Sequence, residues 1–154
     1  MSFSHFSFDM ILPDLNARHV ETATDRLARD IGRMIGLPEK ALAADLRTQI
    51  HDARADLDNG CLLFDVRAPN LIRPMAVLLR TPKGMMRDAA PGIPLDLFCV
   101  VVSPQSDGSL SLQRLARWTR LFKNEEFLKN LRQARDSDDI RILMSHPRTG
   151  VMAA

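Results

Sequence analysis

Cysteine is scarce in this 154-residue chain: there are two, Cys61 and Cys99, and both lie inside apolar runs. No CxxC pair or zinc-ligand spacing exists, which argues against a disulfide framework and a structural zinc and leaves buried, reduced thiols as the expectation. Charge of one sign is lacking too. With 21 basic and 19 acidic residues the net charge is +2, so nothing pulls the chain toward nucleic acid or anionic lipid. No apolar run approaches the ~20 residues that span a bilayer, so direct membrane insertion is not expected. The first nine residues lack a basic segment followed by a long apolar one, so no signal peptide is expected, and the expected location is cytoplasmic. There is no internal repeat and no low-complexity run. No cofactor or metal is implied.

What remains is ordinary soluble composition, 45% hydrophobic and 26% charged, in a chain long enough to bury one core. Residues 10–147 are expected to form a single domain, with 1–9 a flexible lead-in or short edge strand and 148–154 a flexible tail. His19 to Ile35 reads as a helix, with Val20, Ala23, Leu27, Ile31 and Met34 on one buried face. Gly36 ends it, Pro38 opens the next, and that second helix runs from about Glu39 to Ala53 with Leu42, Leu46, Gln49 and Ile50 inward.

Asp56 to Gly60 is a polar loop. Cys61 to Val66 reads as a short buried strand and Met75 to Leu79 as another. Thr81 to Pro94, with its prolines and glycines, reads as a loop or hairpin tip, and it is the segment expected to be most mobile. Leu95 to Val102 is nearly continuous apolar sequence, the mark of a central strand covered on both faces. Three helices follow: Leu110 to Phe122 with Leu112, Leu115, Ala116, Thr119 and Phe122 inward, one capped by Asn124, and one capped by Ser137. Helices before and after a block of strands predict an α/β fold, a mixed sheet of about four to five strands flanked by helices.

One stretch carries a resemblance. Gly60-Cys61-Leu62-Leu63-Phe64-Asp65-Val66-Arg67 resembles the G-I-A-I-P-H-A-R phosphorylation loop of the mannitol/fructose-type enzyme IIA domains (EIIA type 2) of the sugar phosphotransferase system. Pro94 to Pro104, Leu110 to Arg117 and Phe127 to Ala134 resemble later pieces of the same family in order and spacing. The resemblance covers about residues 10 to 145. It implies an α/β/α sandwich of the mannitol-type EIIA kind, on the nitrogen-regulatory or fructose/mannitol branch. It also implies protein partners, namely an HPr-like phosphate carrier or a regulated transporter or kinase.

The departures from the family pattern decide the functional question. The family's phosphorylated histidine falls on Asp65 and its second histidine on Ser111. Of a glycine-rich approach only Gly60 survives, within Asp56-Leu57-Asp58-Asn59-Gly60, while Arg67 matches a family position. Asp65 admits three readings. It is a partial phosphomimic, one negative charge where a phosphoryl group brings nearly two. Alternatively it accepts phosphate itself, in a working phosphocarrier, with Asp56 and Asp58 holding a divalent cation. Or it is a polar strand residue without chemistry. Asp56, Asp58 and Asp65 are expected to surround the former anion site and repel phosphate.

Ser111 reads as a helix N-cap rather than a nucleophile. His51, just before the altered loop, reads as solvent-facing. Trp118, off the expected apolar stripe and beside Arg114, Arg117 and Arg120, reads either as a partner-binding anchor or as a partly buried core ring. The expected function is therefore regulation through partner binding, with histidine phosphotransfer lost. The candidate residues are Asp65, Arg67 and Ser111 for the former chemistry and Asp58, Asn59, Gly60 and Trp118 for binding.

Overall fold

The computed structural model describes residues 6–86 and 92–145. Apolar periodicity becomes four strands and five helices: β1 (Met10–Leu12), α1 (Val20–Ile35), α2 (Glu39–His51), β2 (Cys61–Ala68), β3 (Met75–Met85), β4 (Leu95–Pro104), a 3-10 turn (Gln105–Asp107), α3 (Ser109–Phe122), α4 (Glu125–Gln133) and α5 (Ser137–Ser145). The strands form one mixed sheet in the order β1-β3-β4-β2. β1 runs parallel to β3, β2 parallel to β4, and β3 antiparallel to β4.

Side chains alternate across the sheet and feed two cores. Leu62, Phe64 and Val66 of β2, with Val77, Phe98 and Val100, pack under α1 and α2. Cys61, Leu63, Ala76, Cys99 and Val101 pack under α3, α4 and α5 on the opposite face. The α/β/α sandwich is as expected, and β4 is the doubly covered central strand, buried at nine of its ten positions. Both cysteines are buried free thiols. Burial pushes Cys61 up to about 12 and Cys99 well above its usual range, so both stay protonated. Among the described residues no helix is long and apolar enough to cross a membrane.

Gly36 closes α1 in the left-handed region (φ 74°), its N–H donating to Gly32 O at 2.8 Å. Asn124 caps α4, accepting from Phe127 N at 2.9 Å. Three details depart from the sequence reading. β3 runs to Met85, where Thr81 onward read as loop, with an irregular register between Arg80 and Met85. The middle of that supposed loop, 87–91, lies outside the described residues, as do 1–5 and 146–154 with the expected tail. The acceptor at the start of α5 is Asp136, taking Asp139 N at 2.9 Å, rather than Ser137. Residues 6–9, placed in the lead-in, are packed into the fold: Phe6 and Phe8 are buried against the Trp118 ring, each at 5.3 Å between centroids.

Candidate functional site

Asp65 stands in the second half of β2, in register with Val101 of β4, which in turn faces Ala76 of β3. Alternation sends Phe64 and Val66 toward α2 and turns Asp65, like Cys61 and Leu63, to the α3 side. β2 is an edge strand, yet its outer edge is not open at this point. Leu63 N donates to Ala55 O at 2.8 Å. The buried amide of Gln49 then acts as a substitute strand for the next residue in the ladder. Its Oε1 accepts Asp65 N at 3.0 Å and its Nε2 donates to Asp65 O at 2.8 Å. Both main-chain polar groups of residue 65 are thus taken up on the outer edge.

The carboxyl itself is poorly provided for. Its Oδ1 is buried without a hydrogen-bond partner among the described residues. Burial raises the Asp65 pKa above the usual carboxylate range; the charge of Arg67 opposes the rise, Asp45 adds to it and Arg54 lowers it. Arg67 itself is exposed. A site that stabilises a phosphoryl group needs converging N–H donors or cations, and around Asp65 the dominant influence is desolvation.

The aspartates of the preceding loop do not join Asp65, contrary to the expectation of a three-carboxylate surround. The chain after α2 runs back along β2, with Asp56 bridging Leu62. Gly60 precedes the first residue of β2, and the five extended residues to Asp65 separate the two by roughly 16 Å. Among the described residues no group of three His, Cys, Asp or Glu is gathered that could hold a metal ion.

The loop is instead built into the body of the protein. Asn59 donates through Nδ2 to Phe122 O at 2.8 Å and accepts Cys61 N at 3.1 Å. Asp58, at φ 62°, donates its N–H to Asp56 Oδ1 at 2.9 Å. Gly60, at φ 89°, lies where a Cβ would come within 2.8 Å of Arg132 Nη2 and 2.9 Å of Pro94 O. Arg132 grips Asp96 through Nε at 2.7 Å and Nη2 at 3.0 Å, and Nη2 donates to Asn59 O at 2.7 Å. Gly60, Asn59 and Asp58 are therefore framework at one end of β2, while Asp65 and Arg67 belong to the other.

Ser111 is the third residue of α3 and its Oγ donates to Gly108 O at 2.8 Å; the N-cap is Gly108, which offers no side chain. Ser111 is buried, and its hydroxyl is engaged within its own turn. Trp118 is 3% exposed, so the core-ring expectation holds and the anchor expectation does not. Leu112, expected inward, is 61% exposed. The buried stripe of α3 is Ser111, Trp118, Leu121 and Phe122 with Leu115 partly covered, a four-three-four spacing rotated about 100° from the one through Leu112. Of the described histidines, His51 is exposed beside Asp52, 3.3 Å away, and His19 is the exposed residue preceding α1.

The sequence placed Gln49 inward without giving it a task, and sequence reasoning passed over Arg132 and Arg80. For Gln49 and Arg80 a signal is legible, since a polar side chain on an inward position must find partners; Arg132 stands on an exposed helix position and carries no such signal. Arg80 is buried, donating to Pro13 O at 2.8 Å, Leu131 O at 2.9 Å and Ala134 O at 2.7 Å.

Comparison with known proteins agrees with this fold. A "Nitrogen regulatory protein" of Bradyrhizobium diazoefficiens is 24% identical over 139 residues, 90% of this chain and 91% of the relative. The crystal structure of nitrogen regulatory protein IIA-Ntr from Neisseria meningitidis superposes with a TM-score of 0.75 at 16% identity, covering 94% of this chain and 95% of the other. Mannitol IIA from Escherichia coli gives 0.63 at 12% identity, covering 88% and 95%. Residues 6–146 match the family model for EIIA 2 of the phosphoenolpyruvate-dependent sugar phosphotransferase system. The chain belongs to that family.

Proposed function

We propose that this protein is a regulatory, partner-binding EIIA domain that no longer carries phosphate on histidine. The observation that carries the reading is Asp65. At the position that resembles the family's phosphorylated imidazole, the side chain is a half-buried carboxyl, one oxygen of which is buried without a partner among the described residues. Neither described histidine stands there, and Ser111, at the resembling second-histidine position, is tied to Gly108. A carboxylate offers no neutral nitrogen to attack a phosphoryl donor, and it meets the donor's oxygens with like charge. The sandwich around it is intact and offers protein partners the same architecture. A cytoplasmic setting, where phosphotransferase carriers and the regulated transporters or kinases meet such domains, fits this role.

The test is incubation with phosphoenolpyruvate, enzyme I and HPr, followed by intact-mass measurement. The mass is expected to stay unchanged. Gain of one phosphate would overturn the proposal, and a label that is acid-stable and hydroxylamine-labile would assign it to an aspartyl phosphate at Asp65.

A further inference from the structure

The end of the sheet that holds Asp65 carries a cationic ledge on its α3 face. Arg67 projects from β2 in register with Ser103 of β4. Ser103 Oγ accepts from Arg114 Nη1 at 2.8 Å, and Arg114 Nη2 pairs with Asp107 at 2.8 Å, which orients its guanidinium. Beyond Arg114 a cavity of about 400 Å³ opens between the N-terminal segment, the start of β3 and α3, lined by Arg73, Arg117 and Leu110 among others, with Trp118 contributing to its wall. Arg73 and Arg117 are exposed and make no ion pair among the described residues. The acid in this lining, Asp9, already accepts Ala76 N through Oδ2 at 2.9 Å. Ala76 shares a row with Val101 and Asp65, so the groove begins about two strand spacings, roughly 10 Å, from position 65.

Apolar surface adjoins these cations. Leu110 is 54% exposed at the groove and Ile72, beside Arg73, is 95% exposed. Exposed aliphatics framed by arginines have the composition of a protein interface, where arginine and apolar anchors concentrate. A duplex is the poorer fit, because nucleic-acid binding draws on many phosphate contacts and the net charge of the chain is only +2.

We infer that the groove and ledge formed by Arg67, Arg73, Arg114 and Arg117 dock an acidic segment of a protein partner, with an apolar side chain of that segment against Leu110. This rests on the partner-binding reading above and adds the chemistry of the partner. Electrostatic complementarity then sets which partners engage and how fast.

The probe is a fluorescein-labelled peptide of Asp, Glu and Leu, measured at about 0.1 M salt by anisotropy and by the emission of Trp118, the sole tryptophan. Saturable binding with a change in Trp118 emission is expected. The double variant R73E/R117E should bind at least tenfold more weakly while melting like the parent, since both residues are exposed. Arg33→Glu, an exposed change on α1, should leave binding within twofold. Absence of binding, equal binding by R73E/R117E, equal binding of the same peptide with Lys for every acid, or tighter binding of a short DNA duplex would each overturn the inference. Phosphate uptake in the mass experiment would overturn the transfer-free reading and leave this result standing, so the two failures are distinct.

Discussion

Asp65 is held by its main chain and disfavoured by its side chain, and that combination has a pH signature. Its pKa is raised in the fold, first by burial, so the folded protein binds this proton more tightly than the unfolded chain does. The group's contribution is favourable below the ordinary aspartate value and is lost as pH rises through the raised one. Asp65→Asn removes the ionisation. Relative to the parent it should gain stability near pH 7 and little at about pH 3, which urea melts at the two pH values will read. A difference independent of pH would contradict the desolvated carboxyl.

Gly60→Ala is a second residue-scale case. The left-handed φ and the 2.8 Å approach of Arg132 should make it cost more than about 1 kcal/mol in the same melts. The sequence marked Gly60 as what survives of the family's glycine-rich approach; in the fold the glycine gives room for Arg132 to tie the loop to Asp96. Spacing alone places Asp56 and Asp58 near Asp65. Only the return of the chain along β2 separates them, and that depends on pairings between residues distant in any local pattern.

Among the elements, the edge of β2 shows how a side chain can finish a sheet. Gln49 supplies one acceptor and one donor to Asp65, as a neighbouring strand would. Gln49→Ala leaves both backbone groups without a partner at a covered edge, and roughly 2–3 kcal/mol of stability should be lost. Hydrogen exchange should also quicken at the Asp65 amide before other β2 amides; uniform protection along β2 would count against the clamp. Arg80 does the corresponding task between β3 and the end of α4. Arg80→Met strands three carbonyls and should cost about 3 kcal/mol in denaturant melts. Helix faces were unevenly legible. α1 followed its apolar stripe except for Met34, which is 39% exposed. α3 departs from the stripe expected through Leu112: arginines flank Trp118 in sequence, yet Trp118 and Phe122 lie four apart on one buried face.

For the whole molecule, the order of elements and the central strand could be read from apolar periodicity, because each β2 and β4 side chain has a fixed face once the strand exists; the two helical layers were what the family resemblance implied. Strand order and the crossing from β2 to its neighbour β4 came from tertiary pairing, not from local sequence. The same layering places Asp65, the cationic ledge and the groove on one end and one face of the sheet.

The central claim, that this end of the sheet binds without accepting phosphate, is tested most directly by ¹H–¹⁵N spectra recorded before and after adding phosphoenolpyruvate with catalytic enzyme I and HPr. The Asp65 amide and the Gln49 side-chain amide, which report each other through two hydrogen bonds, should keep their positions. A second, shifted set of these resonances that grows with phosphoenolpyruvate and vanishes on its exhaustion would contradict the account.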